Sequence, residues 1–161
     1  MGYTHYWTQK RDYTLKDWAW ICADVRAILQ ASNVPVVREY DEPDVPAVVD
    51  EREIRFNGIS EDGCETFLIP RRRFAQEPWE KGRYRKGCSF CKTNRGAYDV
   101  IVTAILAVLA ERGFEVSSDG SHEDWNAGVA LASRALDRAV KNPIADAALD
   151  DSNYVGSRHH Y

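Results

Sequence analysis

No stretch of the 161 residues approaches the roughly 18 consecutive apolar residues that a membrane-spanning helix requires. The longest apolar run, Val100 to Ala110, has the length of a buried helix instead. A membrane partner is therefore not expected. The opening Met-Gly-Tyr-Thr-His-Tyr lacks the charged-then-apolar layout of a secretory signal. Tyr6 also stands where a myristoylation signal needs Ser or Thr. A cytoplasmic protein is expected, and there the four cysteines read as thiols rather than a disulfide frame. Motifs of established chemistries are missing too. There is no G-x-G-x-x-G loop, no H-E-x-x-H helix and no Ser-His-Asp order of a catalytic triad. Lys92-Thr93 lacks the two glycines that would make it part of a P-loop. No cofactor is expected, and binding is a better reading than catalysis.

What the chain does have is a concentrated positive segment. Residues 71–95 carry nine Lys or Arg against two Glu, while the whole chain has a net charge of −4. The mild total argues against general coating of nucleic acid, so the charge is a local device. Clustered cations just before a helix start are suited to hold an anion. Five Trp, eight Tyr and five Phe add rings for a core, for stacking or for an interface.

The patterning predicts one α+β domain over residues 1–143. A mixed or mostly antiparallel sheet is expected, with about three helices packed on it. Tyr3 to Thr8 alternates as a strand, with Tyr3, His5 and Trp7 on one face and Thr4, Tyr6 and Thr8 on the other. Thr14-Leu-Lys-Asp17 opens a first amphipathic helix that ends near Asn33. Val34 to Tyr40 is expected as a short strand. Glu53 to Ile59 and Glu65 to Ile69 are expected as a hairpin around Ser60-Glu-Asp-Gly63. Arg71 to Lys86 has no period and reads as a long surface excursion, of the kind that usually has a function. Ser89 to Thr93 is a further strand. Tyr98 to Arg112 is apolar nearly all round and predicts a central helix stopped by Gly113. Phe114 to Ser117 follows as a strand. Ser121-His-Glu-Asp124 opens a last helix, with Trp125, Val129, Ala132, Leu136, Ala139 and Val140 on one face and Asn142-Pro143 as its break. Residues 144–161 read as a tail, loosely ordered or docking on a partner.

Several constellations are candidates for function. Lys92, Thr93 and Arg95 lie just before the central helix, where free N–H groups and the helix dipole favour a phosphate. Arg71, Arg72, Arg73, Arg83, Arg85 and Lys86 are expected to close over such a ligand. Tyr6 or Trp7 is placed to stack on a planar base, and Ser118 or Asp119 to contact a ribose or an exocyclic amine. Substituting Lys92 or Arg95 by Ala is then expected to abolish a thermal-shift response to nucleotides. His5 has no carboxylate partner that the sequence locates. Cys88-x-x-Cys91 matches half of a zinc knuckle, so a zinc-stabilised structural protein is an alternative. Nucleic acid or a host protein bound through residues 71–95 is another. A plainer reading is a solvated loop whose cations balance the acidic remainder of the chain, also across a subunit contact, so a homo-oligomer is a further expected state.

Three segments carry a resemblance. The opening Met-Gly-Tyr-Thr-His-Tyr-Trp, the run Phe90-Cys91-Lys92-Thr93 with Arg95 and Tyr98-Asp99, and Ser117-Ser118-Asp119-Gly120 with Trp125 together resemble small uncharacterised proteins of tailed bacteriophages and prophages. The resemblance implies a phage accessory protein acting in the host cytoplasm. It further implies an anti-defence role, in which a nucleotide signal of host immunity is bound and sequestered.

Overall fold

The central strand of the first sheet owes its place to alternation. The structure is a computed structural model that describes residues 2–147. In it β1 (Thr4–Thr8) buries His5 and Trp7 and turns Tyr6 outward. β1 pairs antiparallel with both β5 (Cys88–Lys92) and β6 (Glu115–Ser118), giving the order β5-β1-β6. Its register sets Tyr6 opposite Phe90 on one side and opposite Ser117 on the other. A second antiparallel sheet has the order β2-β3-β4, from β2 (Val48–Val49), β3 (Glu53–Phe56) and β4 (Phe67–Pro70). Its inward residues Ile54, Phe56, Phe67 and Ile69 are fully buried. Trp7 joins the two sheets through Phe67, with ring centroids 5.2 Å apart.

Three helices complete this α+β fold: α1 (Leu15–Ala31), α2 (Asp99–Glu111) and α3 (His122–Leu136). Residues Ile101 to Leu109 of α2 are all buried, as expected for a helix without a polar face. α2 crosses α3 closely at Gly128, where an added Cβ would lie 2.0 Å from Thr103 Oγ1. Thr14 caps α1 by accepting from Asp17 N at 3.1 Å. Ser121 and Asp124 form the full reciprocal capping box of α3.

Three expectations need correction. Val34 to Tyr40 is not a strand; only Val37 makes bridges, to Pro46 and Asn57. The hairpin loop is longer than the sequence implies, because the buried Asn57 side chain organises it. Asn57 Nδ2 donates to Cys64 O at 2.9 Å, and its Oδ1 accepts from Gly58 N and Cys64 N at 2.8 and 3.1 Å. The last helix stops at Leu136, well before Pro143, with Asp137 in the left-handed region at φ 51°. Ser133 Oγ takes Val140 N at 3.0 Å, and Glu111 takes Lys141 N at 3.0 Å, which draws the chain off the helix axis. Ile144 still packs on the core. The remainder of the expected tail, 148–161, lies outside the described residues.

Candidate functional site

At the head of α2 the structure assembles a hydrogen-bonded network of the chain's own groups. The ring of His5, fully buried, bonds Asp99 Oδ1 through Nε2 at 2.6 Å and Ser118 Oγ through Nδ1 at 2.7 Å. Thr93, also buried, donates its hydroxyl to the same Asp99 oxygen. Ser118 Oγ further accepts from Gly120 N at 2.8 Å. Trp125 meets the His5 ring edge-on, with centroids 5.1 Å apart. Asp99 begins the helix, so its carboxylate occupies the place that the dipole offers to an anion. The cluster brings His, Asp and Ser together, but the imidazole is sealed and both its nitrogens are engaged. It ties β1, β6 and α2 to one another.

Arg95, Asp124 and Asp119 at this end are equally committed. Arg95 lies over the Tyr3 ring, 4.1 Å from its centroid, and pairs with Asp124 at 3.4 Å. Burial, followed by the charges of Asp99 and Asp124, pushes the Tyr3 phenol up to about 12. Asp124 is held below the ordinary carboxylate range, first by the backbone N–H of Ser121. Asp119 Oδ2 accepts from Thr4 N at 3.1 Å. Lys92 faces outward beside Thr4, with its side chain lying along Gly2.

Among the described residues, an opening that a small ligand could enter lies toward the Thr8 end of β1. It is a cleft of about 650 Å³ between β1, β5 and the 73–87 loop. His5 of the α2 cluster and Tyr6 of the cleft are neighbours in β1 and point to opposite faces of the sheet, so the sheet itself divides the two. Its rim carries five rings: Tyr6, Phe74, Trp79, Tyr84 and Phe90, each 41 to 65% exposed. Trp7, Gln9 and Leu68 also line it, with Arg73, Arg85 and Lys86 supplying positive charge and Glu77 and Glu80 negative. The size falls within the range of small-molecule sites.

The loop is anchored by side chains that the sequence reading missed or assigned elsewhere. Gln9 is buried and donates Nε2 to Pro70 O at 2.9 Å, while its backbone N–H donates to Gly87 O at 2.9 Å. It thereby holds both ends of the excursion. Gly87, at φ +85°, sits so close that a Cβ would lie 2.0 Å from Gln9 O. Arg71 donates to Tyr13 O and Glu51 O at 2.9 and 2.8 Å. Arg73 pairs with Asp12 at 3.1 Å and donates to Lys10 O at 2.9 Å. The backbone N–H of Arg73, then its guanidinium, keeps the Asp12 carboxyl below its usual range. Arg85 pairs with Glu115, which Lys10 also meets at 2.6 Å. Hydrogen bonds from Lys10 and then Arg85 hold the Glu115 carboxyl below the ordinary carboxylate range. Within the loop, Gln76 Nε2 donates to Tyr84 O at 2.7 Å, and Glu77 N to Glu80 Oε2 at 2.8 Å.

The expected site is therefore divided. Tyr6, Trp7 and Arg85 line the cleft; Thr93, Arg95, Ser118 and Asp119 belong to the cluster at the opposite end, beside the outward Lys92. Arg83 is exposed on the loop without lining the cleft. Cys88 and Cys91 lie three residues apart on a strand, so they face opposite sides of the sheet. Cys88 is exposed and Cys91 fully buried, its thiol pushed up to about 12 by that burial. One zinc ion cannot take both, and among the described residues no group of three or more His, Cys, Asp or Glu is placed to hold a metal. Phe74, Trp79, Tyr84, Phe90 and Gln9 were missed. The first four had a signal: rings spaced along a basic stretch that lacks any period. Compared with protein-family models, curated proteins and solved structures, the chain matches none at a significant level.

Proposed function

We propose that the cleft beneath the 73–87 loop binds a small phosphate-bearing ligand with a flat ring, a nucleotide by chemical class. The convergence of five exposed rings with Arg85 and Lys86 on one opening carries this reading. Large exposed aromatics are costly to leave in water, and each offers a face on which a base can stack. Lys86 makes no ion pair among the described residues, so its ammonium is available to a phosphate. Arg85 and Glu115 form an exposed pair, which contributes little and exchanges readily for a phosphate contact. The Glu77 carboxylate, also unpaired among the described residues, suits an exocyclic amine on a base. In a tailed-phage protein, retention of such a ligand would serve to sequester a signalling nucleotide of the host.

A thermal-shift titration with a panel of nucleotides tests this placement. Trp79→Ala and Lys86→Ala are expected to weaken the response at least about tenfold, the size of one lost stack or charged contact. Arg95→Ala is expected to leave it within about twofold of the parent protein once its own stability change is subtracted. Loss on Arg95→Ala with retention on Trp79→Ala would return the site to the head of α2.

A second reading has its own support. Arg72, Lys81 and Arg83 carry charge beyond the cleft and make no ion pair among the described residues. Rings interleaved with such cations also suit single-stranded nucleic acid. Binding that strengthens with strand length and falls steeply with salt would favour it.

A further inference from the structure

The rings around the cleft fall into two sets built on different elements. Tyr6 and Phe90 are cross-strand neighbours on the outer face of the first sheet, with centroids 6.5 Å apart and planes tilted by 45°. Their positions follow from the β1–β5 register. Phe74, Trp79 and Tyr84 stand on the excursion, whose turns are fixed by the Gln76–Tyr84 and Glu77–Glu80 hydrogen bonds. Between the sets in the chain come Arg85 and Lys86, followed by Gly87, which is locked against Gln9. Along the chain the order is therefore loop ring, cation, sheet ring, and all three kinds line the opening.

Resting on the nucleotide reading of this cleft, we infer that its ligand carries two bases joined through phosphate. A mononucleotide engages one set of rings and leaves the other wet. A dinucleotide places one base on the sheet rings, the other on the loop rings, and its phosphate linkage against Lys86 and Arg85. The rings contribute stacking at both ends, and the cations neutralise the linker that must lie between them. Linear and cyclic dinucleotides share this chemistry and differ in one phosphodiester or two.

Calorimetric titration distinguishes the cases. The probes are adenosine monophosphate, the linear diadenylate with one phosphodiester, the cyclic diadenylate with two, and a longer oligoadenylate. A diadenylate is expected to bind at least about tenfold tighter than the mononucleotide, the ratio of one added stack. Trp79→Ala and Phe90→Ala are each expected to bring that affinity down to the mononucleotide level. Both side chains are mostly exposed, so neither change should unfold the protein. Equal binding of mononucleotide and diadenylate would overturn the two-base inference and leave the nucleotide reading standing. Affinity that continues to rise from diadenylate to oligoadenylate would overturn it in favour of a strand platform. Absence of binding by all four probes would sink both the inference and the reading beneath it.

Discussion

His5 illustrates how a residue's partners decide its role. On a strand it could have been a surface base, yet its ring is sealed between Trp125, Asp99 and Ser118. A buried imidazole is tolerable because both nitrogens are satisfied, and removing either partner would leave an expensive orphan. Buried acids nearby give the molecule a particular pH dependence. Burial raises Cys91 from 9.0 to about 12 and Tyr3 from 10.0 to about 12. The folded state therefore holds these protons more tightly than the unfolded chain. Their contribution to stability is complete below the unfolded values and is lost as pH rises toward 12. Chemical-denaturation midpoints should fall across that alkaline window. In Cys91→Ala the fall should be shallower than in the parent, and identical slopes would show that the thiol does not titrate as described.

At the scale of elements, periodicity made the strands and helices legible because burial on one face leaves a mark in the sequence. Tyr3, His5 and Trp7 alternate inward, and α2 has no polar face to display. Helix starts were legible from Ser121 and Asp124, whose capping chemistry is local. Partnerships between residues distant in the chain were not. Asp99 reaches His5 across 94 positions, and Gln9 reaches Pro70 across 61. Charge alone also misled. Of the cations in the excursion, Arg71 and Arg73 are staples to backbone and to Asp12, so a positive count overstated what is free for a ligand. The rings beside them are what remain on offer. Gln9→Ala releases the Pro70 end of the loop, where the side-chain amide donates, while the backbone bond to Gly87 O remains, at a cost of about 1–3 kcal/mol. Chemical denaturation should register that loss, and nucleotide affinity should fall with it. Unchanged affinity in the destabilised variant would show that the loop's anchorage does not shape the cleft.

Across the whole molecule, the two ends of β1 do different work. One end is closed by charges and hydroxyls satisfied among themselves, which tie β1, β6 and α2 together. The other end opens beneath a loop whose rings have no partner in the core. If the proposed ligand binds, it does so at this loop-covered rim, on a body whose polar groups are already satisfied. The sequence singled out the charged segment and Tyr6, both of which lie at the cleft, and it placed an anion at the helix start without revealing that Asp99 stands there. Hydrogen–deuterium exchange with and without saturating diadenylate tests the central claim most directly. The account predicts new protection in residues 73–90 and little change in 93–99 or 118–122. Protection confined to those last two segments, with the 73–90 loop unaffected, would contradict it.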